Sequence, residues 1–196
     1  MTKTLEFFFD LGSPASYLAW TQLPALCAST GATLHYRPML LGGVFQATGN
    51  SSPAAVPAKG RYMATDLLRH ARRYGVPFAF NPHFPINTLA LMRGAIGYQM
   101  QRPEDFARYL EALFNALWVD QRNLADDAVL GPILEAAGLD VQQYQAMISD
   151  DQVKGALKAS TEEAVQRGVF GAPTFFVGDE MYFGQDRLEF VTETLR

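Results

Sequence analysis

The chain carries one cysteine, Cys27, among 196 residues. A single thiol closes no intrachain disulfide and supplies no Cys-rich zinc site, so neither a disulfide scaffold nor a metal centre is expected. Positive charge is also scarce: sixteen Lys and Arg stand against twenty Asp and Glu, a formal net charge of -4. General nucleic-acid binding rests on a basic surface, and that role is excluded. Apolar runs fall far short of the roughly 20 residues that cross a bilayer. The first residues lack the basic region and long apolar core of a signal peptide. Strand-forming residues begin by Leu5, which leads to the expectation of a cytoplasmic protein with no membrane partner. There is no internal repeat, and no Ser-His-acid arrangement is visible.

What is present centres on Phe9-Asp10-Leu11-Gly12-Ser13-Pro14-Ala15-Ser16-Tyr17, where an apolar strand-like run breaks into a turn and a helix opens at once. Ser is among the best N-cap residues, and Pro at the first helical position loses no needed N–H, so Ser13-Pro14 reads as N-cap and N1. Free backbone N–H groups and the positive end of the helix dipole converge beside the Ser13 hydroxyl. Two readings stand here: a serine that only caps a helix, or one that also holds an anion or a thiol becoming one.

The length suits one domain, or one domain carrying an insertion. Tyr17, Leu18, Trp20, Leu23, Leu26 and Cys27 recur at helical spacing up to Gly31, which places Cys27 in a core. Residues 33–37 alternate as a second strand ending at Pro38, completing a right-handed βαβ unit with parallel strands. Residues 42–60 are rich in Gly, Ala, Ser and Pro without apolar periodicity, which predicts a long loop. Asn50 is a turn former there, and Lys59 a charge just before the next helix. From residue 61 to about residue 168 the chain reads as mostly helical. Asn81-Pro82-His83-Phe84-Pro85 forms a rigid loop within it, and caps are expected at Asn87, Asp126 or Asp127, and Asp140. Residues 173–177 and 181–183 form a β-hairpin, and a helix follows over residues 186–195. The order βαβ, helices, ββα is α/β: a thioredoxin-like fold with an inserted all-helical domain. Residues 1–40 and 169–196 make the thioredoxin-like part, and residues 41–168 the connecting loop and insert.

Thioredoxin-like proteins carry Cys-x-x-Cys where this chain has Ser13-Pro14-Ala15-Ser16, and Phe170-Gly171-Ala172-Pro173-Thr174-Phe175 looks like their cis-proline stretch. Disulfide exchange requires an attacking thiolate, so the site cannot perform it. Serine here resembles the glutathione-dependent 2-hydroxychromene-2-carboxylate isomerases and the kappa-class glutathione transferases. The similarity covers nearly the whole chain: FDLGSPASY, TGN followed by PAKGRYM, GVFGAPTF, and FGQDR, in that order. It implies that Ser13 is the catalytic serine at the glutathione sulfur and that Asn50 and Lys59 contact glutathione from the loop. By the same resemblance Ala172, the residue before the cis-proline, pairs with its peptide backbone, Pro173 belongs to the same cofactor-binding set, and Gln185 and Asp186 hold its γ-glutamyl end. Transferases usually have Ser where Gln185 stands. His83 lies where isomerase substrate contacts are expected. The chain ends at Arg196, as the isomerases do, whereas the kappa transferases extend further.

The resemblance implies glutathione as cofactor, an aromatic small-molecule substrate from naphthalene-type catabolism, and a homodimer. In the isomerase reading, thiolate addition to an unsaturated carbon makes a double bond single, and rotation and elimination then return the thiol. In the transferase reading the thioether leaves as product. A non-catalytic binding module that lost its cysteines is the third reading.

Overall fold

The computed structural model describes residues 3–196. Four strands among them form one sheet: β1 (Thr4–Phe9), β2 (Thr33–Pro38), β3 (Thr174–Val177) and β4 (Glu180–Phe183), in the order β2-β1-β3-β4. β1 and β2 run parallel, with Thr4 opposite Thr33, and β3 lies antiparallel to both β1 and β4. The crossover between the parallel strands is α1 (Pro14–Thr30), closed by Gly31 in the left-handed conformation. This is the βαβ unit and hairpin that the alternating apolar patterns predict.

Residues 42–60 depart from the loop expectation. They contain α2 (Leu41–Thr48), a 3-10 turn at Pro53–Ala55, and the beginning of α3 (Pro57–Tyr74). Gly42 and Gly43 are poor helix formers. Tertiary packing overrides them: Val44 is fully buried in a cluster with Phe8 and Phe176, and Gly43 lies against Thr161 of α8 (Asp151–Gln166). Lys59 therefore belongs to the first turn of α3 and does not precede it.

Between α3 and α8 run α4 (Leu89–Gln101), α5 (Pro103–Trp118), α6 (Asp127–Ala136) and α7 (Val141–Ser149). Asp126 and Asp140 cap α6 and α7 through their carboxylates, and Asp150 does the same for α8. Asn87 accepts the Leu89 N–H at 3.0 Å, as its capping role requires, although Thr88 occupies the N-cap position itself. After β4 a 3-10 turn, Gln185–Arg187, leads into α9 (Leu188–Leu195), two residues later than the sequence suggests.

The strand period of two sorts the β1 side chains. Leu5, Phe7 and Phe9 enter the larger core with Phe175, Tyr17 and Phe114, whereas Phe8 enters the smaller one with Phe176 and Val44. Phe7 stacks on Phe175 at 5.4 Å between ring centroids. Each such phenylalanine contributes about 1.5–3 kcal/mol by leaving water. On the smaller-core face, Glu6 accepts from Arg167 at 2.8 and 3.0 Å and from Arg37, and Arg37 also bonds Glu163 of α8. The Arg167 guanidinium lies 3.8 Å from the centre of the Phe176 ring. These contacts fasten the end of α8 to the sheet. Among the described residues, no helix is long and apolar enough to cross a membrane.

Candidate active site

Ser13 is the N-cap of α1. Its backbone is extended (φ -95, ψ 112), its Oγ accepts the Ser16 N–H at 3.1 Å, and Pro14 occupies the first helical position. The Ser13 N–H donates to the Asp10 carbonyl at 3.0 Å, which closes the turn between β1 and α1. Although 4% exposed, the serine reaches a cavity, and its hydroxyl donates to the Ala172 carbonyl at 3.1 Å. Ala172–Pro173 is a cis peptide, as expected of that stretch. Hydroxyl bonds to oxygen are most often about 2.7–2.8 Å long, so this one is weak and easily exchanged for a better acceptor. Ala15, the second helical residue, also lines the cavity, and its N–H has no acceptor within the helix. A hydroxyl, a free N–H and the positive helix end therefore meet at one point.

The cavity has a volume of about 960 Å³. That is at the upper end of the roughly 300–1,000 Å³ of small-molecule sites. Its polar groups include those of Ser13, Asn50, Ser51, Ser52, Lys59 and Gln185. Its apolar wall includes Phe45, Met63, Phe84, Ile86, Phe170 and Phe183. Phe170 and Phe183 pack at 4.6 Å between ring centroids, both partly open to solvent. A Cβ at Gly171 would lie 2.6 Å from the Phe183 ring, so only glycine lets that ring rest on the backbone beside Ala172.

Fold and site meet in the placement of the expected residues. Asn50, between α2 and the 3-10 turn, donates from Nδ2 to the Phe170 carbonyl at 2.8 Å, which ties the segment to the Ala172 stretch. Lys59 lies in the first turn of α3 on the cavity wall, and Ala172 and Gln185 line the same cavity. Tyr74 of α3 donates to the Gln185 carbonyl at 2.8 Å, and burial pushes its own hydroxyl above the ordinary range, so it remains a donor. Pro173 is buried behind Ala172 and does not line the cavity.

Two further expected residues lie off the cavity. His83 is exposed and off the cavity wall. The reason is the Asn81 side chain, which is anchored on the Leu117 and Arg122 carbonyls and accepts the His83 N–H at 2.9 Å. That Asx-turn puts Pro82 and His83 at its outer corner, and the loop first reaches the cavity at Phe84. Asp186, next to Gln185, is exposed and pairs with Arg187 at 2.8 Å without lining the cavity.

Sequence reasoning missed Asp10, Thr88, Asp66 and Tyr62, which also line the cavity. Asp10 stands in FDLGSPASY, but nothing local marks it as buried. It is 1% exposed; burial pushes its carboxyl above the ordinary range, while bonds from Leu41, Gly12 and Thr88 pull it back. Cys27 is half-buried on α1 and off the cavity, and burial raises its thiol.

Comparison with known proteins bears on this arrangement. The family profile of the DSBA-like thioredoxin domain matches residues 4–196. The chain is 35% identical over 201 residues to a 2-hydroxychromene-2-carboxylate isomerase of Sphingobium xenophagum, covering 100% of this chain and 99% of that one. It is 28% identical over 207 residues to glutathione S-transferase kappa 1 of Homo sapiens, covering 100% and 92% of the two chains. The solved structure of a 2-hydroxychromene-2-carboxylate isomerase superposes with a TM-score of 0.86 at 31% identity, over 98% of this chain and 94% of that one.

Proposed function

Because the chain belongs to the DSBA-like thioredoxin domain family, we propose that it is a glutathione-dependent isomerase interconverting 2-hydroxychromene-2-carboxylate and trans-o-hydroxybenzylidenepyruvate. The observation that carries this reading is the Ser13 hydroxyl at the α1 N-terminus, bonded to the Ala172 carbonyl at the wall of a cavity with room for a peptide and a bicyclic aromatic. Serine at both thioredoxin cysteine positions removes disulfide exchange.

The residues present suit glutathione. A γ-linked tripeptide offers two carboxylates, an amine, amides and a thiol, and the cavity meets them with Lys59, Asn50, Gln185, the Ala172 backbone and the Ser13 hydroxyl. When bound, glutathione supplies a thiolate that adds reversibly to the unsaturated carbon, so that the former double bond can rotate before the thiol is released unchanged.

The chain's own groups do the rest. Ser13 gives up its long bond to Ala172 and donates to the sulfur anion, a stronger acceptor because it is charged. The Ala15 N–H and the helix dipole add to the same field and lower the proton affinity of the thiol. Lys59 attracts a carboxylate of the tripeptide. Phe84, Ile86, Phe170 and Phe183 hold the aromatic rings and keep water from the anion. Ser13 acts as a donor and not as a nucleophile.

The kappa-type transferase reading uses the same residues and is favoured by the 28% identity to the human enzyme. It differs in the fate of the thioether. Incubating the protein with 2-hydroxychromene-2-carboxylate, with and without glutathione, separates the readings. Isomerisation that needs catalytic glutathione and leaves no adduct by mass spectrometry is the expected result. Stoichiometric consumption of glutathione assigns the transferase, and no glutathione binding by calorimetry rejects both. The reading also carries with it a cytoplasmic homodimer acting in aromatic catabolism, and sizing in solution tests the dimer.

A further inference from the structure

Asp10 is a charge-bearing group buried at the wall of the cavity, 1% exposed, and no counter-charge accompanies it. A buried carboxylate is costly unless its oxygens are hydrogen-bonded. Here Oδ1 accepts the Gly12 N–H at 2.8 Å, and Oδ2 accepts the Leu41 N–H at 2.8 Å and the Thr88 hydroxyl at 3.0 Å. The three donors come from three places in the fold: the β1–α1 turn, the first residue of α2, and the N-cap of α4. The Asp10 carbonyl meanwhile accepts the Ser13 N–H.

Thr88 provides an independent sign that the arrangement serves more than helix ends. It stands at an N-cap, a position where threonine ordinarily bonds its own helix, yet its side chain makes no cap bond. Asn87 takes over the first turn of α4, and the Thr88 hydroxyl goes to Asp10. The chain also makes room for it: a Cβ at Gly12 would lie 2.7 Å from the Thr88 methyl and 3.3 Å from Asp10 Oδ1.

We propose that Asp10 is a positioning residue for Ser13. Its carboxylate clamps the Ser13 turn to the first turns of α2 and α4, and Thr88 is the second member of the clamp. The role rests on the cavity being the glutathione-dependent isomerase site proposed above. The carboxylate is specifically required, because each oxygen faces a backbone N–H, which can only donate. An asparagine has one acceptor oxygen, so either orientation of its amide sets N–H against N–H in the interior. Protonation of Asp10 weakens the clamp for the same reason. Burial raises the carboxyl above its ordinary value of 3.8, and the groups acting on it from the turn, α2 and α4 are all uncharged donors. The other charged side chains on the cavity wall, Lys59 and Asp66, both come from α3. A raised folded value means that the clamping form is lost as pH falls through a point above 3.8.

The test uses the full chain with glutathione and 2-hydroxychromene-2-carboxylate. Thr88→Val removes one donor and keeps the shape, Thr88→Ser restores the donor, and Asp10→Asn is the stronger change. Thr88→Val is expected to lower kcat about fivefold while leaving glutathione affinity within twofold, and to move the acid limb of the kcat profile to higher pH. Thr88→Ser is expected to return both to wild type. Asp10→Asn, if it folds, is expected to lose more turnover than Thr88→Val. A fall in thermal stability with an unmoved acid limb and unchanged kcat overturns the proposal and leaves Asp10 a structural tie. If wild type neither binds glutathione nor turns over, the functional reading has failed, and a second measurement decides the clamp. In a Ser13→Cys background, Thr88→Val is expected to slow alkylation of the introduced thiol at pH 7 threefold or more. An unchanged rate overturns the clamp whatever the enzyme's reaction.

Discussion

Replacing Ser13 by alanine separates the two jobs that the geometry gives this residue. The hydroxyl accepts the Ser16 N–H at 3.1 Å as a helix cap, and it donates to the Ala172 carbonyl at 3.1 Å at the edge of the cavity. Loss of an N-cap acceptor costs about 1 kcal/mol, within a range of roughly 0.5–2. For a chain of this size that lowers the melting temperature by about 2–4 °C per kcal/mol. Loss of the donor to the sulfur anion costs about 1.5–3 kcal/mol, because the acceptor is charged. In turnover that is roughly 10- to 150-fold. Glutathione affinity is expected to change far less, since Asn50, Lys59, Gln185 and the Ala172 backbone keep their places on the cavity wall. Ser16→Ala is the control: its Oγ is buried without a hydrogen-bond partner, so removing it is neutral or stabilising and leaves the N–H cap intact. The assay is initial-rate isomerisation at saturating glutathione, beside thermal denaturation and calorimetric titration. A Ser13→Ala protein that loses stability but turns over within twofold of wild type refutes the reasoning and makes Ser13 a cap and nothing more.

Introducing Ser13→Cys together with Ser16→Cys places two thiols one helical turn apart at a helix N-terminus. Measurable disulfide exchange is expected, with an alkylation pKa of the first thiol below the free value of about 8.5; a value at or above it counts against the helix-end field. Gly171→Ala forces a Cβ to within 2.6 Å of the Phe183 ring, so the ring must leave the backbone, and a several-fold rise in KM for the aromatic substrate should follow with glutathione affinity little changed. Lys59→Ala should weaken glutathione binding a few-fold at low salt and progressively less as salt screens the exposed charge, which titrations at two ionic strengths check. Burial alone would raise the Glu6 carboxyl, but Arg167 and Arg37 hold it below the ordinary 4.5. Its contribution is complete above that unfolded value and is lost as pH falls through the lowered folded one, so Glu6→Gln should flatten the acid loss of stability below about pH 4.5 seen in urea titrations of wild type.

Much of this protein is written in local chemistry. Ser13-Pro14 announces a helix start because a cap and an N1 proline are settled by their own few residues, and the structure has them in those roles. The strands, the parallel βαβ pairing and the hairpin follow from alternation and turn residues in the same way. Four motifs in order sufficed for the family, and they held five of the residues that line the cavity: Ser13, Asn50, Lys59, Ala172 and Gln185. The sequence did not reveal α2, whose helix-poor Gly42 and Gly43 are overruled by the burial of Val44 against β1 and β3. Nor could it show that His83 points away while Phe84 and Ile86 face inward, since an Asx-turn anchored on carbonyls 36 and 41 residues away decides that. Asp10 was visible as a letter in a motif. Its meaning depended on Leu41 and Thr88, donors 31 and 78 residues distant, because a buried carboxylate is defined by partners that only the folded chain assembles around it.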